Sequence, residues 1–225
     1  MYEAVIFDVD GTLIDSVDAH AKAWVWVFAR HGHDIPFDDL RLQIGKGGDQ
    51  LMPVFLTEDD IARVGKQIEA ERADFFKAEY LPHIRAFPDV RELFERIRAD
   101  GKRIILASSA KADELQTYKK IAKVDDLIDG ETTADDSEKS KPHPDIFRAA
   151  LEKIADVDPA RVLVVGDTAW DAEAAGKAGL KTLGLLCGGF PEEMLKDAGC
   201  IAIYASPAEL LARYDDSPLS GKAGS

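Results

Sequence analysis

The sequence predicts an α/β fold: a parallel sheet with helices on both faces, interrupted after its first strand by a helical insert. Three observations carry this. Short, continuously apolar runs ("AVIF", "RIILA", "RVLVV") alternate with segments of helical period, as strands buried on both faces do. Polar residues close those runs, at Asp8, Ser108 and Asp167. Between the first run and the second lie about 65 residues of helical character without a convincing strand.

The elements follow in order. Residues 3–7 form the first strand. Over 16–30, Val17, His20, Ala21, Trp24, Val27 and Phe28 recur at helical spacing, and Gly32 ends the helix. Glycines break a helical stretch at 35–55. Thr57 caps a long helix reaching about Tyr80, and Pro82 closes it. A helix at 89–100 leads to a strand at 102–108 and a helix at 111–122. A short strand or loop follows at 126–133. Next come a helix at 144–154, a strand at 161–167 and a helix at 169–178. Strands at 181–186 and 200–205 each precede a helix, at 191–198 and 207–214. The core is therefore assigned to residues 1–15 and 84–214 and the insert to 16–83. The small, polar tail at 215–225 is expected to be disordered.

Composition narrows the function. The chain has 225 residues, 46% hydrophobic and 31% charged, with a net charge of −14. So acidic a chain repels nucleic acids and anionic membranes, so neither is expected as a partner. No apolar stretch approaches the roughly 20 residues of a membrane span. No signal peptide is visible, because Asp8 interrupts the first apolar run. Cys187 and Cys200 lack metal-ligand spacing and read as buried, reduced thiols, consistent with the cytoplasm. A monomer or a homodimer is expected; Trp24, Trp26 and Phe28 crowd one helix, which core packing explains.

Open α/β sheets bind ligands at the carboxyl ends of their strands. Asp8 and Asp10, Ser108, Lys141, and Asp167 with Asp171 one helical turn later all fall on that edge. Strand geometry, if continued, turns both carboxylates of Asp8 and Asp10 to one spot. Singly, each residue reads as a turn former, a cap or a solvated lysine. Together they suit phosphoryl transfer. Clustered carboxylates hold Mg²⁺, which relieves their repulsion. One aspartate attacks phosphorus and a second carries the proton. Lysine and serine bind the phosphoryl oxygens. The insert, leaving from that same edge, lies over the site as a lid.

The motifs "DVDGT" (8–12), "ILASS" (105–109), "SKPHPD" (140–145) and "VVGDTAWD" (164–171) together resemble the haloacid dehalogenase-like hydrolase superfamily, in order and over nearly the whole chain. The resemblance implies a Rossmann-like core with an inserted helical cap domain and a Mg²⁺ cofactor. It implies Asp8 as nucleophile, Asp10 as general acid and base, and Ser108 and Lys141 as phosphoryl ligands. It further implies a metal held by Asp8, the Asp10 backbone carbonyl and Asp167, supported by Asp171. Ser109, His20 and Lys46 are expected to face the substrate. An acid at Asp10 separates the chain from true dehalogenases. "DSVDAHAKAW" (15–24) is similar to the first cap helix of β-phosphoglucomutases, His20 included. Those enzymes carry a cap-loop arginine, and the nearest position here is Gly47, beside Lys46. In the loop 45–48 the glycines serve either as a flexible link or as a specificity loop presenting Lys46. The expectation is a Mg²⁺-dependent phosphatase for a small phosphorylated metabolite, with a phosphomutase as the alternative. A phosphate-sensing receiver module is a third reading, which lacks the DxDGT acid and the insert.

Overall fold

The computed structural model describes residues 1–220. Six strands form one parallel sheet: β1 (Ala4–Phe7), β2 (Arg103–Ala107), β3 (Gly130–Thr132), β4 (Val162–Gly166), β5 (Lys181–Leu185) and β6 (Ala202–Tyr204), in the order β3-β2-β1-β4-β5-β6. Phe7 aligns with Leu106 on one side and Val165 on the other, so β1 sits centrally. Strand order reverses beside β1, which is where an open sheet leaves a crevice.

The apolar runs bury both faces. Val5, Phe7, Ile104, Leu106, Leu163 and Val165 point to one side. There they pack on α5 (Val90–Ala99), α6 (Ala112–Ala122) and α10 (Pro207–Ala212). Ala4, Ile6, Ile105, Ala107, Val162 and Val164 point to the other, against α7 (Asp145–Glu152) and α8 (Ala169–Lys177). The two-residue period decides which face each side chain reaches. A small helix, α9 (Glu192–Asp197), covers the β5 side through Leu195.

Between β1 and β2 the chain forms α1 (Val17–Arg30), α2 (Phe37–Arg41), α3 (Gly48–Phe55) and α4 (Glu58–Phe75). Thr57 Oγ1 accepts the Asp60 N–H at 3.2 Å and caps α4, which widens into a π turn at Phe76–Tyr80. These helices have a core of their own, built on Trp24, Phe28, Leu40, Leu51 and Ile68. Trp26 stacks on Phe75 at 3.9 Å. The segments entering and leaving the insert run side by side: Asp15 N–H donates to Arg85 O at 2.9 Å and Phe87 N–H to Leu13 O at 2.9 Å.

Two sequence expectations change. The tail is not disordered over 215–220: it makes single turns at Tyr214–Asp216 and Pro218–Ser220, and Leu219 is fully buried in the sheet's core. Ser217 closes the turns, donating to Tyr214 O at 2.7 Å and accepting from Leu219 N–H at 3.2 Å. One leucine and a self-capping serine outweigh a polar composition. The rest of that expectation, 221–225, lies outside the described residues. Cys187 and Cys200 are free but only half-buried. No helix among the described residues is long and apolar enough to cross a membrane.

Candidate active site

The strand β1 ends at Phe7, and Asp8 keeps its line by donating its N–H to Val165 O at 2.9 Å. The chain then folds tightly, with Leu13 and Ile14 N–H both returning to Val9 O at 2.8 and 3.0 Å. Gly11 makes this possible. Its φ is +82°, and a Cβ there would lie 2.3 Å from Asp167 Oδ2. The turn brings the Thr12 hydroxyl 3.0 Å from Asp8 Oδ2 and 2.9 Å from Asp167 Oδ1.

Lys141 closes the same cluster. Its side chain is 1% exposed, and its Nζ lies 2.5 Å from Asp8 Oδ1 and 2.7 Å from Asp171 Oδ1. Asp171 divides its oxygens between two tasks. Oδ1 pairs with Lys141, while Oδ2 accepts from Thr168 N–H at 3.1 Å and Oγ1 at 2.6 Å, capping α8.

Three buried carboxylates thus share one cluster, and two of them, Asp8 and Asp171, pair with its ammonium. Burial and the charge of Asp171 push the Asp8 carboxyl up to about 7, against the pull of Lys141. Burial, Asp8 and Asp171 likewise hold Asp167 well above the ordinary carboxylate range. Burial would lower Lys141, but Asp171 and Asp8 outweigh it and keep the ammonium charged. A divalent cation fits this set. Oxygens of Asp8, Asp167 and Asp171 lie within 4.8 Å of one another. Asp167 Oδ2 is buried without a hydrogen-bond partner, and Thr12 has a single proton to offer two carboxylates. Gly11 and Gly188 leave open the space beside that oxygen; a Cβ on Gly188 would lie within 1.7 Å of it.

Asp10 belongs to a second cluster. Its Oδ1 accepts from Ser16 Oγ at 2.6 Å and meets His20 Nε2 at 3.0 Å. His20 stacks on Phe76 at 3.9 Å and touches the Tyr118 hydroxyl at 3.2 Å; that hydroxyl donates to Glu114 Oε1 at 3.1 Å. Arg72 Nη1 lies 3.5 Å from His20 Nδ1. His20 thus stands between the Arg72 guanidinium and the Asp10 carboxylate. Burial alone would raise the Asp10 carboxyl, but the pull and hydrogen bond of His20, with the bond from Ser16, hold it below the usual range.

The expectation that both carboxylates of "DVDGT" face one spot needs correcting. The sheet ends before Asp8, so strand period no longer governs Asp10, which turns toward α1. Both still line one cavity of about 310 Å³, along with His20, Ser109 and Lys46. Ser108, at the end of β2, is fully buried, and its hydroxyl accepts the Ala110 N–H at 3.0 Å. The Lys46 ammonium is partly spoken for: it donates to Gln43 at 2.7 Å and lies 3.9 Å from the Trp170 ring centroid.

Sequence reasoning missed Thr12, Ser16, Glu114, Tyr118 and Arg72. Glu114 and Tyr118 stand one turn apart on α6, a visible spacing, but nothing in it tells which way they face. Also missed were the ties between insert and core. Arg41 donates to Gly188 O at 2.9 Å and Gly189 O at 3.1 Å, and Trp170 Nε1 donates to Leu42 O at 3.1 Å.

Comparison with known proteins places the chain in a family. The sequence model of the haloacid dehalogenase-like hydrolases matches residues 2–179. A phosphorylated carbohydrates phosphatase of Thermotoga maritima is 27% identical, over 93% of this chain and 96% of that one. A phosphoglycolate phosphatase of Nitrosospira multiformis is 29% identical, over 79% and 80%. Among solved structures, a hydrolase from Pseudomonas syringae superposes with a TM-score of 0.83 at 29% identity, covering 95% of this chain and 98% of that one.

Proposed function

Because the chain belongs to the haloacid dehalogenase-like hydrolase family, we propose that it is a Mg²⁺-dependent phosphatase acting on a small phosphorylated metabolite through an aspartyl-phosphate. The observation that carries this is the Asp8 carboxylate, held by Lys141 at 2.5 Å inside an acidic cluster with an unpartnered Asp167 oxygen.

In this reading an Asp8 oxygen attacks phosphorus and the ester oxygen departs, taking a proton from Asp10. Water then attacks the phosphorus of the phosphoryl-aspartate and gives Asp10 a proton, releasing inorganic phosphate and restoring Asp8. The resting network holds Asp10 charged, ready as a base. A phosphate dianion brought beside it raises its proton affinity, which the acid role requires. Lys141 neutralises the phosphoryl oxygens from below. The Ser108 hydroxyl keeps its own proton free to donate, since its bond to Ala110 uses a lone pair. Asp8 and Asp167, with the Asp10 carbonyl and Asp171 in support, would hold Mg²⁺, which supplies positive charge to the transferring group. The insert, with Lys46 at the cavity wall, acts as the cap that excludes bulk water, and Ser109 lines the same cavity from the core. The free thiols suit a reducing cytoplasm.

Phosphate release from p-nitrophenyl phosphate tests the proposal. Turnover should require Mg²⁺, stop with EDTA and vanish in Asp8→Asn; activity surviving both treatments sinks it. A phosphomutase is the second reading, favoured by the His20–Asp10 contact at 3.0 Å. Isomerisation of a sugar 1-phosphate outpacing phosphate release would select it.

A further inference from the structure

Arg72 is a guanidinium that the protein leaves unsatisfied. It lies on α4, on the wall of the cavity shared by Asp8 and Asp10. In a chain of net charge −14, no carboxylate among the described residues pairs with it, and Glu69, one turn earlier on the same helix, does not either. Its Nε is sealed from water without a hydrogen-bond partner. Its contacts are the face of Trp24, 5.2 Å from the ring centroid, and His20 Nδ1. The guanidinium lies over the indole, and one imidazole separates it from the Asp10 carboxylate.

The other cations of that wall differ. Lys46 is occupied by Gln43 and Trp170, and Lys77 pairs with Asp113 at 2.7 Å. Lys66 and Lys111 are exposed and unpaired, and both line the same cavity. An acidic molecule thus keeps three unpaired cations facing the space where a leaving group must lie. The single phosphoryl group at Asp8 does not need them, because Lys141 already stands there.

Resting on the phosphatase reading, we propose that Arg72 is a specificity-determining residue that binds a second oxyanion on the leaving group. The preferred substrates are then phosphomonoesters of small alcohols bearing a carboxylate or a further phosphoryl group. A planar, stacked guanidinium recognises either oxyanion by paired hydrogen bonds. The short path from Asp10 across His20 to Arg72 sets the size: the second anion lies a few atoms from the ester oxygen, and the cavity of about 310 Å³ admits only a small molecule.

Binding of non-hydrolysable probes to the full chain in Mg²⁺ tests this without turnover. The probes are phosphonoacetate, ethylene-1,2-diphosphonate and the singly charged-ended ethylphosphonate, titrated by calorimetry. At least one doubly anionic probe should bind about tenfold or more tighter than ethylphosphonate, and which one does so tells carboxylate from phosphoryl. Arg72→Gln should shrink that ratio to about twofold, and Arg72→Lys should recover part of it. A wild-type ratio near one for both probes, or a ratio that survives Arg72→Gln, overturns the inference. If Arg72→Gln does not fold, an Arg72→Lys ratio equal to wild type overturns it. Failure of the phosphatase reading shows separately, as no phosphate released from p-nitrophenyl phosphate by the wild type.

Discussion

Lys141 Nζ lies 2.5 Å from Asp8 Oδ1, with both side chains withdrawn from water. A buried pair of this kind is costly to break from one side, by about 3–5 kcal/mol, because the partner charge stays behind. Lys141→Met in EDTA should therefore lower stability on that scale, measured by urea unfolding. Adding Asp8→Asn should return part of the loss instead of adding to it, since one stranded carboxylate is then removed. Strict additivity would show that the two side chains do not interact.

The carboxyl cluster makes stability depend on pH and metal together. The folded state holds Asp8 up to about 7, above its ordinary 3.8, so between these values it keeps a proton that the unfolded chain has lost. Metal-free stability from this group is thus full below about 4 and lost as pH rises toward 7; Asp167 acts in the same direction. Asp10, held below its ordinary value, acts in the opposite direction in a more acidic range. Mg²⁺ competes with the protons of the first two. The increase in Tm on adding Mg²⁺ should therefore be larger at pH 7.5 than at pH 5.5, at about 2–4 °C per kcal/mol gained. An increase that is independent of pH would contradict the assignment.

Gly188→Ala should act on the metal more than on the fold. Its Cβ would lie within 1.7 Å of Asp167 Oδ2, so the carboxylate must move. The Mg²⁺ concentration for half-maximal activity should rise about tenfold or more, the loss expected when a ligand is displaced. Circular dichroism should stay near wild type. An unchanged Mg²⁺ requirement would mean that Asp167 holds no metal.

Arg41 reaches from α2 to the Gly188 and Gly189 carbonyls, 2.9 and 3.1 Å away. Arg41→Ala removes these bonds and leaves both carbonyls to solvent. Hydrogen exchange over 37–46 should quicken, and KM should rise roughly three- to tenfold while kcat falls less. Equal exchange in both proteins would show that the contact does not restrain the insert.

Much of this arrangement was legible in the sequence. Apolar runs located the strands along the chain, because a strand buried on both faces needs residues like those of "RVLVV", but not their order in the sheet, which the crossovers set. Asp8, Lys141, Asp167 and Asp171 were legible because each follows an element ending on the same edge, and the structure brings them together. Asp10's direction was not legible, since it depends on a turn made possible by Gly11. Arg72, Tyr118 and Glu114 were not either: they meet His20 only after α4 and α6 pack, and helical spacing gives their face without their neighbour. The tail failed for the same reason, because Leu219 finds its partners far away in the chain.

The insert joins the sheet through two adjacent segments, tied at Asp15–Arg85 and Leu13–Phe87. A body with its own core, hung on one seam, swings chiefly about that seam, as a book cover swings on its spine. Arg41, and Leu42 meeting Trp170, tie the insert further to α8 and to the segment after β5. Opening the insert would have to part these bonds together with the Ser140–Asp49 bond at 3.1 Å and the Lys77–Asp113 pair at 2.7 Å, so the clasp is shared among several small contacts.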